Sequence, residues 1–392
     1  MAPILIDITR LLYRRFLGRL PTGIDRVSIE YVRHYAPGAL GVVGLGIFSA
    51  VLTKADSARA FRTLLDPAEP ILFLFLKIGF KAIAWQWFGR TKTSAFLFNT
   101  GHMGLENNRY AIFLRQRGAR PIFMVHDLIP ITHPEYCRTG ERSRHKVRML
   151  CMLATGCGII ANSQNTLTAL RQFAQRQKVP VPDSVVAPLA PGFVASTPGQ
   201  RPIAEPYFVV LGTIEPRKNH WMLLQIWRRL VEKHGAAAPK LVIIGQLGWE
   251  YEDVTNLLER TRVLREYVIQ CRRASDQELF TYLHHAQALL FPSFAEGFGM
   301  PVAEALSIGV PVIASDLDVF RECAGNLPDY ADPLDGRAWL SLIEDYMLQT
   351  SAYRASQMAR MGEFKAASWT EHFATVDALL ARLDAKATSW PV

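Results

Sequence analysis

The chain has 392 residues, of which 49% are hydrophobic and 20% charged, with a formal net charge of +9. That length exceeds one comfortable core and points to two domains of ordinary globular-enzyme composition. The five cysteines (Cys137, Cys151, Cys157, Cys271 and Cys323) form no CxxC pair, which argues against a disulfide framework or a zinc site and fits a reducing compartment. No apolar run reaches the roughly 20 residues of a membrane span, and the opening "MAPILIDITRLLYRR" has no charged region ahead of a long apolar core, so no secretory signal is expected. The charge is uneven. Residues 1–200 hold 25 Lys+Arg and 11 Asp+Glu, a balance of +14, and the remainder of the chain carries −5. A basic first half suggests an anionic partner.

Strand and helix signals alternate along the chain, as in parallel sheets covered by helices. In the first half "PILIDI", "GALGVVGL", "SAFLFN", "RPIFMVHD", "GIIANS" and "SVVAPL" read as short buried strands, with helices at Asp25–His34 and Asn165–Gln175 among the segments between them. Pro188–Pro206, with five prolines and two glycines, reads as a linker. The alternation then restarts with "YFVVLG", "KLVIIG", "YVIQ", "ALLFPS" and "VPVIAS" separated by helices. The tail Trp369–Leu383 repeats apolar residues at helical spacing. The expected architecture is α/β, with two doubly wound Rossmann-like domains facing a central cleft. One domain is expected over residues 1–195 and a second over 196–367. A C-terminal helix in 368–392 is expected to cross back onto the first domain.

The stretch "FPSFAEGFGMPVAEALSIGVPVIASD" sets Glu296 and Glu304 on either side of a glycine bend between two strands. Pro301 suits the start of a helix and Gly309 its end. The bend thus delivers a helix N-terminus, whose free amides attract anions, while Gly297 and Gly299 let a ligand approach the backbone. Carboxylates repel phosphate but accept hydrogen bonds from hydroxyls, and a nucleotide sugar offers both groups. Taken alone, the spacing also fits an ordinary capped turn. A second segment, "VVLGTIEPRKNH", places Gly212, Thr213, Arg217 and Lys218 between a strand and a helix, where adjacent cations suit a diphosphate.

Together "GTIEPRKNH", "SDQELFTYLHHAQALLFPSFAEGFGMPVAEALSIGVPVIASD" and "VFRECAG" resemble the retaining glycosyltransferases of the GT-B fold in glycosyltransferase family 4, over about residues 205–345. "TGIDRV", "VHDLIPITHPEY" and "IIANSQNT" in the first half look like members that use GDP-mannose or related donors. The resemblance implies that Arg217 and Lys218 hold the donor diphosphate, that Glu304 binds the ribose hydroxyls and that Glu296 contacts the transferred sugar. Backbone amides of Gly297, Phe298, Gly299 and Met300 would orient sugar and phosphates, and Gly212 and Thr213 would line the phosphate pocket. His126, with Asp127 beside it at a strand's carboxyl end, would polarise the acceptor hydroxyl or bind the donor sugar. Gly23 would admit the donor from the other wall. "VIQCRRAS" departs from relatives by placing Arg272 where a glycine is common, which leaves the contacts to the base open. No metal or other cofactor is implied; the "DLD" at Asp316–Asp318 reads as a solvated loop. The implied co-substrate is a nucleotide sugar, and the acceptor a glycan or a lipid-diphosphate-linked saccharide in bacterial-type polysaccharide assembly. The same reaction with a UDP-sugar or GDP-deoxysugar, or donor binding without turnover, are alternatives.

Two basic stretches, Arg10–Leu20 and Leu72–Lys92, interleave cations with apolar residues and suit an anionic membrane surface; the bland readings are a loop and a core helix. A cytoplasmic protein held peripherally at the inner face of the membrane is expected. A nucleic-acid binder would explain the basic half but not the glutamate bend, and "GLGIFS" lacks the third glycine of a dinucleotide fingerprint.

Overall fold

The computed structural model describes residues 2–45, 48–66, 68–69, 71, 94–192 and 197–388. The segment Leu72–Lys92, expected at a membrane surface, lies outside them. The chain divides into two compact units. One comprises Met1–Ile131, Gly140–Leu189 and Ser368–Val392; the other comprises Thr132–Thr139 and Ala190–Ala367.

The first unit is built on a seven-stranded sheet of β1 (Ile4–Asp7), β2 (Ala39–Leu45), β3 (Phe48–Val51), β4 (Phe96–Asn99), β5 (Arg120–Val125), β6 (Gly158–Ala161) and β7 (Asp183–Val186). Their order is β3-β2-β1-β4-β5-β6-β7. The central strands read as continuous apolar runs because helices cover both faces: Phe96, Leu97, Phe98, Ile122, Phe123, Ile159 and Ile160 are all buried. Among the described strands β3 alone is antiparallel, pairing Val42 with Val51 and Leu45 with Phe48 at the sheet edge. The helix Trp369–Thr388 belongs to this unit and buries Phe373, Val376, Leu379, Leu380 and Leu383 along one face. Its polar groups fix its register: His372 Nε2 lies 2.9 Å from the Tyr31 hydroxyl, and Arg120 pairs with Asp384 at 2.9 Å.

The basic stretch Arg10–Leu20 is a loop only over its last four residues. Thr9–Phe16 forms a helix that buries Leu11 and Leu12. Arg10 and Arg14 each reach a different oxygen of Asp25 at 2.8 Å. Tyr13, Phe16, Leu17 and Leu20 stay 44%, 39%, 42% and 39% exposed.

The second unit carries six parallel strands: β8 (Tyr207–Leu211), β9 (Lys240–Ile244), β10 (Val268–Cys271), β11 (Leu289–Phe291), β12 (Val312–Ser315) and β13 (Asp329–Ala331). Their order is β10-β9-β8-β11-β12-β13. The order reverses between β8 and β11, so the loops leaving these two neighbouring strands diverge and open a crevice at their carboxyl ends. One core layer is led by the helix His220–His234, which buries Leu223, Leu224, Ile226, Trp227 and Leu230. The other is led by the helix Met300–Ser307, which buries Val302, Ala305 and Leu306.

Candidate functional site

The crevice of the second unit is built from two loops. After β8 the chain passes Gly212, at φ 140°, and Thr213, then Glu215, a 3-10 turn over Pro216–Lys218 and Asn219, at φ 55°. Proline presets the turn, and asparagine tolerates the left-handed backbone at its end. This loop is tied to the one after β9: Ile214 N–H donates to Gln246 O at 2.9 Å, and Gly248 N–H donates to Ile214 O at 3.0 Å. The fit is tight enough that a Cβ on Gly245 would lie 1.9 Å from Gly212 O.

The loop after β11 brings Glu296. It is anchored to the first loop where Phe294 N–H donates to Arg217 O at 2.9 Å. The Glu296 carboxylate lies between two cations, 2.8 Å from Arg217 and 2.5 Å from Lys218, with its side chain 10% exposed. Burial pushes the Glu296 carboxyl up, but Arg217 and Lys218 outweigh it and hold it at about 2, so it is ionised at neutral pH. Burial lowers the Lys218 ammonium, and Glu296 opposes that shift. Arg217 also donates to Ala295 O at 2.6 Å and to Glu215 at 2.8 Å. Burial raises the Glu215 carboxyl despite these cations. Glu215 lies inside the "EPRKN" string, yet the sequence reading gave it no role; its place beside two cations was the available signal.

Gly299 (φ 96°) caps the helix Met300–Ser307, and Pro301 is its second residue rather than its first. Both positions lack an intrahelical acceptor for an amide, so proline costs nothing at either. A Cβ on Gly299 would meet the Phe320 ring at 2.7 Å. Phe298 is buried in the same bend, and Gly297 and Met300 are half-buried there. Glu304 is buried on the first turns of the helix, where its Oε1 accepts from Gly192 N–H of the linker at 2.9 Å. Glu296 is thus drawn to the cations, while Glu304 faces the linker backbone. No sequence signal marked Gly192.

His126, Asp127 and Gly23 belong to the first unit. His126 follows β5 and is buried, with Nε2 2.7 Å from Thr100 O. A carbonyl only accepts, so Nε2 carries the hydrogen and Nδ1 is the acceptor of the neutral ring. Burial lowers its pKa, with the Thr100 contact opposing, which keeps the ring neutral. Asp127 caps the next turn, accepting from Ile129 N–H at 2.9 Å. Gly23 opens the helix Gly23–Tyr35, capped by Thr22 and Asp25; the helix Thr9–Phe16 stands between it and β1. His102, at φ 60°, places its ring 5.3 Å from that of His126 and was not foreseen. Asp316 of the "DLD" is paired with Arg321 at 2.6 Å.

The chain is similar to known proteins in sequence and in fold. Residues 198–328 match the family described as "Glycosyl transferases group 1". The chain is 28% identical over 270 residues to the "Serotype-specific mannosyltransferase WbdA" of Escherichia coli, covering 59% of this chain and 31% of that protein. It is 36% identical over 165 residues to the "O-antigen chain mannosyltransferase B" of Escherichia coli, covering 42% of each. The chain thus spans about a third of the length of the first of these relatives. Among solved structures, Anabaena HepE in complex with UDP and glucose superposes with a TM-score of 0.66 at 17% identity, covering 97% of this chain and 100% of that one. Trehalose-6-phosphate synthase OtsA does so with a TM-score of 0.64 at 12% identity, covering 98% and 99%. At those identities the likeness concerns the fold, which is GT-B.

Proposed function

We propose that this chain, which carries a glycosyltransferase group 1 domain on a GT-B fold, is a retaining hexosyltransferase. It moves a hexose, mannose from GDP-mannose as first choice, onto a glycan or lipid-linked saccharide in polysaccharide assembly. The observation that carries this reading is the Glu296 carboxylate held between Arg217 and Lys218 at the sheet's switch point. There the two cations neutralise the charge that develops on a departing nucleoside diphosphate. The bond from the anomeric carbon to the diphosphate oxygen breaks, the acceptor oxygen bonds to that carbon from the same face, and a phosphate oxygen takes the acceptor's proton. Glu296 accepts hydrogen bonds from the transferred sugar, and Glu304 from the ribose. His126, neutral and with Nδ1 as acceptor, takes a hydrogen bond from a sugar or acceptor hydroxyl. The two cations do the work that a divalent ion does in other transferases, so turnover should survive chelation by EDTA.

The names of the curated relatives favour a mannosyl donor; the UDP in the HepE structure is the observation for the alternative, a UDP-sugar. Thermal-shift titration with GDP, GDP-mannose and UDP separates the two, and NMR of the product's anomeric proton tests retention. Stabilisation by none of the three nucleotides would refute the reading.

A membrane partner belongs to the same proposal. The exposed Tyr13, Phe16, Leu17 and Leu20, with the exposed cation Arg19 among them, suit an interface of anionic headgroups. No helix among the described residues is long and apolar enough to cross a membrane; the attachment proposed is peripheral, on the cytoplasmic side. Co-sedimentation with phosphatidylglycerol vesicles at low salt tests it, and a protein left in the supernatant would count against it.

A further inference from the structure

The segment Thr132–Thr139 is placed far before the linker in sequence, yet it belongs to the second unit. It is held there by rings. Tyr136 stacks on Phe294, with centroids 5.0 Å apart and planes 5° from parallel. His133 continues the stack at 6.2 Å and 17°. Trp249 N–H donates to Tyr136 O at 3.3 Å, and the Arg138 guanidinium lies over the Trp249 ring at 5.5 Å. All four rings are half-buried and Arg138 is exposed. Both loops that contribute Phe294 and Trp249 are fastened to the cation loop: Phe294 N–H donates to Arg217 O at 2.9 Å, and Gly248 N–H, next to Trp249, donates to Ile214 O at 3.0 Å.

We propose that His133, Tyr136, Phe294 and Trp249, with Arg138 at their rim, form a saccharide subsite that receives the acceptor glycan next to Glu296. The inference rests on the hexosyltransferase reading and adds the position and chemistry of the acceptor. A pyranose ring has an apolar C–H face and a rim of hydroxyls. Aromatic faces carry partial negative charge that attracts such C–H groups, while their polar edges stay wet. Part-exposed rings with a guanidinium beside them, over one face of Trp249, offer both halves of that match. Arg138 also donates to Gly248 O at 3.5 Å; an entirely apolar ligand lying over Tyr136 would cut its hydroxyl off from water without giving it a partner. Phe294 lies two residues before Glu296, so a sugar on this stack is next to the group assigned to the donor sugar.

Saturation-transfer NMR tests the subsite on the full chain with mannotriose, maltotriose and cellotriose, for wild type, Trp249→Ala and Tyr136→Ala. Tyr136→Phe serves as the ring-retaining control, and melting curves report folding. The expected result is transfer to at least one trisaccharide in wild type and Tyr136→Phe, and its loss in Trp249→Ala. In a transfer assay with that saccharide as acceptor, its KM should rise about fivefold or more with little change in kcat. Calorimetry with GDP and UDP is run alongside. Unchanged nucleotide affinity with lost saccharide binding supports the subsite. Lost binding of GDP or UDP in Trp249→Ala, with saccharide binding intact, would assign the stack to the nucleobase and overturn it. No saccharide signal in wild type, or equal signals in wild type and both alanine variants, would overturn it as well. Failure of GDP and UDP to bind wild type would instead sink the hexosyltransferase reading and leave the saccharide result to stand alone.

Discussion

Gly212 and Lys218 share one small volume: a Cβ added to Gly212 would lie 3.2 Å from Lys218 Cε and 3.4 Å from its Nζ. The glycine at φ 140° is therefore what allows the lysine to lie back across its own loop and reach Glu296. Gly212→Ala should cost about 1–3 kcal/mol in backbone strain and push the ammonium away from the carboxylate. A lowered melting temperature together with weaker GDP or UDP binding is expected in calorimetry. A variant equal to wild type in both would show that the lysine does not depend on that space.

Removing Glu296 has two separable effects. Glu296→Ala leaves Arg217 and Lys218 without their shared anion, and breaking a buried pair typically costs about 3–5 kcal/mol. Transfer should be abolished, and added nucleoside diphosphate should recover part of the lost stability by replacing the anion. The acid limb follows from the same carboxyl. Its folded pKa, about 2, lies below its unfolded value, near 4.3 for a free glutamate. Its stabilisation is therefore complete above that unfolded value and is lost as pH falls towards about 2. Denaturant midpoints between those two pH values should drop for wild type and stay flatter for Glu296→Gln. Parallel profiles would contradict the assignment.

Glu215 tempers the cations. It accepts from Arg217 at 2.8 Å and would repel a diphosphate whenever ionised. Glu215→Gln keeps an acceptor for the guanidinium and removes that charge, so nucleoside diphosphate affinity should hold or tighten. Weakening by roughly tenfold, about 1.4 kcal/mol, would mean that the carboxylate is needed to aim Arg217.

His220 is buried, and neither ring nitrogen has a partner. Burial, reinforced by Lys218, lowers its pKa to about 3. The unfolded chain therefore takes up a proton below pH ~6.5 while the folded chain does not, and stability drops as pH is lowered from ~6.5 towards about 3, by up to about 1.4 kcal/mol per unit. His220→Leu should be neutral or stabilising at neutral pH and should remove that part of the slope. Equal slopes in wild type and variant, read from urea midpoints at several pH values, would argue that the imidazole is charged or paired.

The parallel strands were legible because burial on both faces leaves unbroken apolar runs such as "FLFN" and "KLVII", and the site loops because glycine and paired cations interrupt such runs at strand ends. That Arg217 and Lys218 meet Glu296 depends on β8 lying beside β11, a sheet order that no single segment encodes. Thr9–Phe16 was missed as a helix because its arginines obscure a short apolar face; Leu11 and Leu12 are buried on that face, and Arg10 and Arg14 both pair with Asp25. β3 is a four-residue strand that, among the described residues, pairs with β2 alone, too short for periodicity to separate it from a loop. The Tyr136–Phe294 stack and the Gly192–Glu304 hydrogen bond join residues far apart in the chain, and local pattern carries no trace of either.

Calorimetric titration of GDP, UDP and GMP into wild type and Lys218→Gln tests the diphosphate pocket most directly. One nucleoside diphosphate should bind wild type more tightly than GMP and lose roughly tenfold or more, at least about 1.4 kcal/mol, in the variant. Equal affinity for wild type and variant, or no binding of GDP or UDP to either, would contradict a pocket in which Arg217 and Lys218 grip the pyrophosphate.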